Sequence, residues 1–185
     1  MIFDFRKTSR NEHVPLYINN ESIEQVSEYK YLGTIIDDKL NWDANTSRIQ
    51  SKGNQRLYFL RKLKTFHVRS QTLILFYQSV IQSVICFCCL AWFNGLTAKN
   101  KGKLNRIVKQ ASRVIGMPVA QLEEVAERAV LAKWDAIVKD PSHPLHEEVT
   151  FNRSGRIRLP KMRTDRFRLS FLPCAMKLFN TNFTR

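Results

Sequence analysis

Asp37 and Asp38 are the carboxylate pair that most invites a metal-dependent reading of this chain. Two-metal chemistry needs several carboxylates converging on ions about 3.5–4 Å apart. Only Asp4 precedes the pair as a third aspartate, so Asp37 and Asp38 read instead as strand-end or turn residues. Cys86, Cys88 and Cys89 lack the paired spacing of a zinc site and sit in an apolar helical run, where free cysteine acts as a small hydrophobe. His143 and His146 form an H-x-x-H in a loop with Pro141 and Pro144, a weak frame for a metal. His146-x-Glu148 is a partial match to the two-His, one-carboxylate set of an iron dioxygenase, and no histidine follows to complete it. The glycines at 33, 53, 95, 102, 116 and 155 are scattered, so no phosphate-cradling loop is visible. No Ser/His/Asp or Cys/His set has local support. The expectation is no catalytic residue, no metal and no cofactor.

Cations are what the chain has in abundance. Its formal net charge is +14, which points to a polyanionic partner, nucleic acid before anionic membrane. The charge is segregated. Residues 1–43 carry five Lys/Arg against eight Asp/Glu, whereas 48–69 carry seven basic residues and 99–113 carry six, with no acid in either block. Residues 121–148 return to three basic against seven acidic, and 151–185 carry nine against one. A length of 185 residues allows one domain, or one small domain with a tail, and 44% apolar content is that of a globular chain. Four cysteines make no disulfide framework, and Met1-Ile2-Phe3 runs straight into Asp4 and Arg6 without a secretory pattern. An intracellular, reducing setting is expected, with nucleus and cytoplasm left open.

These charges have to be positioned by a few elements. Asn19-Asn20-Glu21 reads as the turn of a β-hairpin, followed by a strand from Tyr29 to Ile36 with Gly33 as a bulge or a point of close approach. Asp43, Asn45 and Thr46 offer N-caps for a helix over about 46–65. On it Arg48, Lys52 and Arg56 fall at i, i+4 and i+8, one row, while Ile49, Leu57, Leu60 and Leu63 face a core. A second helix over about 70–92 is apolar but carries a stripe of Gln78, Ser79, Gln82 and Ser83, which reads as a mostly buried core helix without membrane insertion. A third helix over 97–115 has Leu104, Ile107, Val108, Ala111 and Ile115 on one face and Lys103, Arg106, Lys109 and Arg113 on the other. Gly116-Met117-Pro118 ends it, and an acidic helix follows over about 119–139. Beyond the proline loop, Arg156-Ile157-Arg158-Leu159 and Arg166-Phe167-Arg168-Leu169 alternate like extended chain, with 171–179 as a last short helix. Arginine interleaved with aromatics suits single-stranded nucleic acid.

Tyr29-Lys30-Tyr31-Leu32-Gly33-Thr34-Ile35-Ile36-Asp37, with Leu40-Asn41-Trp42 and the basic helix after it, resembles the end of the palm in reverse transcriptases of LINE-type (non-LTR) retrotransposons. The resemblance continues through Gln55–Leu63 and Phe76–Val84 and reaches Ser154-Gly155-Arg156 and Arg168–Phe171. It implies that Tyr31, Leu32 and Gly33 match the primer grip and that the helices after it match the thumb, which follows the backbone of the template–primer duplex. The family's metal-binding "Y-x-D-D" hairpin would lie upstream of residue 1. The segment 56–84 is also similar to the short N-terminal segment of AlkB-homologue-eight proteins, tRNA-modifying dioxygenase–methyltransferases, although no residue here supplies either chemistry.

The expected fold is therefore α+β, mainly α: a small N-terminal antiparallel hairpin or sheet remnant, a three- to four-helix thumb-like bundle and a basic tail. The expected divisions are 1–43, 44–140 and 141–185. The expected function is that of a reverse-transcriptase-derived fragment, not an enzyme by itself, which binds RNA, DNA or their hybrid through the backbone and without sequence preference. Arg48, Lys52 and Arg56 are the first candidate contacts, Lys103, Arg106, Lys109 and Arg113 the second, and Arg156, Arg158, Arg166 and Arg168 the third. The rival readings are a helical interaction module that meets an acidic protein, the module type of the AlkB-homologue-eight segment, and a translated transposon remnant with no function.

Overall fold

Two tight turns shape the N-terminal part of the chain, whose computed structural model describes residues 1–5 and 13–182. Strands β1 (Tyr17–Ile18) and β2 (Glu21–Ser22) pair antiparallel across Asn19-Asn20, both at positive φ, as the favoured two-residue hairpin turn requires and asparagine tolerates. Strands β3 (Glu28–Tyr31) and β4 (Thr34–Asp37) pair in the register Tyr31↔Thr34 to Glu28↔Asp37. The single strand expected over Tyr29–Ile36 is thus a hairpin. Leu32 and Gly33 are its two turn residues, at φ 44° and 91°, so Gly33 serves reversal and not a bulge. Strand β3 is exposed along its whole length, while Thr34 of β4 is buried and Ile35 and Ile36 are half-buried. Asp37 closes the hairpin with its carboxylate, which accepts the backbone N–H groups of Lys39 (2.8 Å) and Asn41 (3.0 Å).

Helix α1 (Asp43–Thr65) starts earlier than its composition suggests. Trp42 sits at the cap position in the left-handed region, and no side chain caps the helix. Asn45 and Thr46, expected as caps, lie inside the first turn and are buried. Asn45 works across elements instead: its Oδ1 accepts the N–H of Ile35 (3.2 Å), which fastens β4 to α1. Asp43 Oδ1 accepts from Asn100 Nδ2 (2.6 Å) and fastens the start of α1 to the start of α5 (Ala98–Ile115). Helix α5 keeps the expected apolar face in full, while Lys103 of the expected basic face is half-buried. Thr97 Oγ1 accepts from the N–H of Asn100, Gly116 ends the helix at φ 80°, and Leu104, Ile107, Val108, Ala111 and Ile115 are all buried. Helices α1 and α5 approach closely at Gly53, where a Cβ would stand 2.7 Å from Ile107 Cδ1.

The second helical segment is broken where the sequence pattern predicts one element through to 92. It consists of α2 (Ser70–Phe76), a π-helical turn (Tyr77–Gln82) and α3 (Ser83–Ile85), then a bend to α4 (Cys89–Trp92) and a 3₁₀ turn (Phe93–Gly95). Between Ser70 and Ile85 its buried residues are Leu73, Tyr77, Ile81 and Ile85, every fourth residue. On a regular α-helix that spacing drifts by about 40° per step. The wider π turn takes up the drift and keeps the row on one face. The segment is therefore buried along one face and not on most of its surface, with Leu75, Gln78, Ser79 and Ser83 exposed. Among the described residues no single helix is long and apolar enough to cross a membrane. Ser70–Ile85 and Cys89–Gly95 reach the required length and composition only together, bent by 44°.

These helices enclose a core of Leu57, Leu60, Leu73, Ile81, Trp92, Leu104 and their neighbours. Helix α6 (Leu122–Lys139) closes it with Leu122 and Ala126, and its second half turns Val130, Trp134 and Ile137 to a smaller core with Ile157, Ala175 and Met176. That second core gathers the C-terminal segment. Phe151 and Ile157 form an antiparallel bridge, Asn180 exchanges two hydrogen bonds with the backbone of Ile157, and α8 (Phe171–Asn182) packs on α6. The alternating Arg166–Leu169 stretch is not extended: Asp165–Arg168 is one helical turn, α7, capped by Thr164 Oγ1 on the N–H of Phe167 (3.3 Å). The fold is α+β and mainly α, as the pattern predicts.

Gly53→Leu should destabilise the chain by about 1–3 kcal/mol, because the added side chain has to push Ile107 out of a packed core. Urea midpoints read this, and a midpoint equal to the parent's would refute the close approach. Burial pushes the Tyr77 hydroxyl from 10.0 to about 12 and the Cys86 thiol from 9.0 to about 12, with neighbouring thiols adding in the same direction. Both groups hold their protons in the folded chain where the unfolded chain has lost them. Their contribution to stability is complete below about pH 9 and is lost as the pH rises towards about 12. The parent should therefore lose more urea resistance between about pH 8 and about pH 10.5 than a Tyr77→Phe, Cys86→Ala variant does. Equal losses would contradict the assignment.

Candidate nucleic-acid interface

Three elements meet around one cleft. The β3–β4 turn supplies Gly33 and Thr34, α1 supplies Asn45, Arg48, Ile49, Lys52 and Arg56, and the π turn with α3 supplies Ser79, Ser83 and Val84. The cleft holds about 500 Å³ and opens to solvent past Phe87, whose ring lies 3.1 Å from where a Gly33 Cβ would stand. Positive φ already favours glycine at this turn, and the ring leaves no room for a side chain. The row Arg48, Lys52 and Arg56 spans about 12 Å of helix, one cation per turn. It faces the cleft because Ile49, Gly53, Leu57 and Leu60 turn the neighbouring face of α1 to the core.

The cleft's polar groups are held in place. Arg56 donates through Nη1 to the carbonyl of Val80, which draws its side chain across the cleft, and four of its five N–H donors remain for other acceptors. Ser79 Oγ donates to the Leu75 carbonyl (2.7 Å) and Ser83 Oγ to the Ser79 carbonyl (2.5 Å), so both hydroxyl oxygens keep acceptor capacity. Asn45 is 2% exposed at the base of the cleft, and its Nδ2 has no hydrogen-bond partner. A buried donor left unmade costs about 1–3 kcal/mol. No carboxylate lines the cleft, and none occurs between Asp43 and Glu123, a stretch with thirteen Lys/Arg.

The other expected contacts lie elsewhere. Tyr31 and Leu32 stand exposed at the hairpin tip beside Gly33 without lining the cleft. On α5, Arg106, Lys109 and Arg113 are exposed and Lys103 is half-buried, and none of the four lines the cleft. Arg156 and Arg158 point outward on either side of buried Ile157. Arg166 stacks on Phe5, its Cζ 3.2 Å from the ring centroid, and Arg168 pairs with Asp165 at 2.8 Å, so both already have intramolecular partners. Asn45, Ser79, Ser83 and Phe87 are site residues that the basic-row pattern does not single out. The Gln/Ser stripe is the signal for two of them, since a polar row on an otherwise apolar helix marks a face that meets water.

Among the described residues no three His, Cys, Asp or Glu side chains are placed to hold a metal ion. His146 Nδ1 lies 3.0 Å from the Ile137 carbonyl, and His143 Nδ1 accepts the N–H of Leu145 (3.1 Å). Burial raises the thiols of Cys86, Cys89 and Cys174 above their ordinary value, which keeps them protonated near neutral pH.

Residues 42–83 match the family described as "Alkylated DNA repair protein alkB homolog 8, N-terminal". The matched stretch comprises α1, α2 and the π turn, which are the two helical walls of the cleft, and covers less than a quarter of the chain. No curated protein and no solved structure matches the chain.

Proposed function

We propose that this protein is a helical binding module that holds nucleic-acid backbone in the cleft between α1, the π turn and the β3–β4 hairpin, without preference for sequence and without turnover of its own. The observation that carries this reading is the cleft itself. Arg48, Lys52 and Arg56 converge there beside the Ser79 and Ser83 hydroxyls, and no carboxylate lines it to compete. Phosphate oxygens suit such a set, because each contact releases counterions and gains hydrogen bonds from guanidinium and ammonium donors. The family match favours the helical-module reading, since it falls on the two walls of the cleft. It brings no iron or methyl-transfer chemistry with it, as the chain offers no residues for either.

A second reading concerns origin. A reverse-transcriptase remnant that retains the primer-grip turn and thumb is supported by the position of Gly33, which the hairpin delivers onto the same cleft as the first basic helix. The primer-grip resemblance of Tyr29–Asp37 asks for the same ligand, a polynucleotide backbone.

An Arg48→Gln, Lys52→Gln variant should flatten the dependence of log K on log salt by about 1.4–1.8, the amount expected when two phosphates are no longer neutralised. Arg106→Gln, Lys109→Gln on α5 should change it less. Fluorescence anisotropy over a salt series reads both. A slope that answers to the α5 pair and not to the α1 pair would overturn the assignment of the cleft.

A further inference from the structure

A second groove continues the first. It holds about 550 Å³ along the C-terminal half of α1 and against α2 and the π turn, and it is more apolar, with Phe59, Phe66 and Phe76 in its walls beside Lys62. Arg56 and Ser79 line both, so the two depressions run end to end as one track that follows α1 from Arg48 to Phe66, with the Arg56–Val80 hydrogen bond crossing it midway. Eighteen residues of helix make that track about 27 Å long.

The chemistry of the track alternates. Arg48, Lys52, Arg56 and Lys62 supply positive charge, and no acidic side chain lines either part. Between and beyond them stand aromatic rings that a folded chain ordinarily hides: Phe66 is 75% exposed, Phe59 56% and Phe87 49%. Leaving three phenylalanines in water is unfavourable, and a ligand with flat apolar faces at regular intervals would cover them. A duplex cannot do this, because its bases are stacked on one another inside the helix. A basic groove with exposed rings matches a single strand, whose phosphates meet cations while its bases stack on aromatic side chains.

We infer that the continuous α1 track binds single-stranded nucleic acid in preference to duplex, with phosphates along Arg48, Lys52, Arg56 and Lys62 and with bases stacked on Phe87, Phe59 and Phe66. This rests on the backbone-binding reading above and adds the strand state of the ligand. At about 3.4 Å per stacked nucleotide the track accommodates roughly eight nucleotides, and fewer when the strand is stretched. The binding is tolerant of sequence, since every base has a face to stack.

The test uses the full chain and fluorescence anisotropy with four labelled probes: a twelve-nucleotide mixed-sequence strand, its duplex, an abasic strand of equal phosphate number and an acidic peptide of equal charge. The expected order is single strand at least about tenfold tighter than duplex and than the abasic strand, with the peptide weakest. Phe59→Ala and Phe66→Ala should each weaken the single strand by about fivefold or more, as loss of a stacked base does, and leave duplex binding unchanged. Both rings are exposed, so the fold survives these changes, which circular dichroism checks. Duplex binding that equals or exceeds single-strand binding, or an abasic strand that binds as well as the normal one, overturns the inference and leaves the backbone-binding reading standing. Failure of all three nucleic-acid probes at low salt overturns both, and a peptide that binds more tightly than any of them replaces nucleic acid with an acidic protein segment.

Discussion

The rotation of α1 about its own axis decides what this molecule presents to its surroundings, and the contact between Gly53 and Ile107 sets that rotation. With no side chain at 53, α1 and α5 come close enough for Ile107 to lie on the α1 backbone. Lys52 is about 100° round the helix from Gly53. The row it shares with Arg48 and Arg56 therefore flanks the core face and looks into the space between α1 and the π turn. The Asp43–Asn100 hydrogen bond fixes the start of the same pair, and Asn45 fastens the β3–β4 hairpin to the helix on its other side. A hairpin, a basic row and a polar wall meet because each is tied to α1 at a defined angle.

Charge gives that arrangement its direction. Thirteen cations without one carboxylate over residues 44–122 repel one another, and the repulsion opposes the compact state unless counterions or a polyanion offset it. At physiological ionic strength screening acts over about 8 Å, so neighbours along one helix row still feel each other. The acidic residues are kept elsewhere, up to Asp43 and from Glu123 onward, where Glu123 on α6 accepts from Asn105 Nδ2 at 3.0 Å. The C-terminal arginines are partly spent inside the molecule, on Phe5 and on Asp165. Net charge alone would rank all the basic blocks equally. Geometry separates a converging set from rows that are exposed or already paired.

Legibility in the sequence follows the strength of local signals. Helix α5 is readable to the residue, because Thr97, Gly116 and five apolar positions agree on one helix and one face. The Arg48–Lys52–Arg56 row is readable from spacing alone. The β3–β4 turn is not, since Leu32-Gly33 lacks the Asn-Gly signature of a two-residue turn and a glycine inside a β-branched run equally signals a bulge. Leu73, Tyr77, Ile81 and Ile85 look like part of an ordinary core helix, and the π turn that aligns them has no composition of its own. The bend at Cys88, a non-glycine residue at φ 51°, leaves no mark in an apolar run. Asn45 reads as a cap because asparagine near a helix start usually is one; its bond to β4 depends on a neighbour that local sequence does not name. The Arg/Leu alternation at 166–169 imitates a strand, whereas Thr164 caps it as a helical turn.

Photocrosslinking with a short uridine-rich strand, followed by peptide mass spectrometry, tests the central claim most directly, because it reports which residues lie against the bases. The account predicts crosslinks on Phe59, Phe66 and Phe87, along the track between α1 and the π turn. Crosslinks confined to α5, or to the arginines of the C-terminal segment, would contradict it.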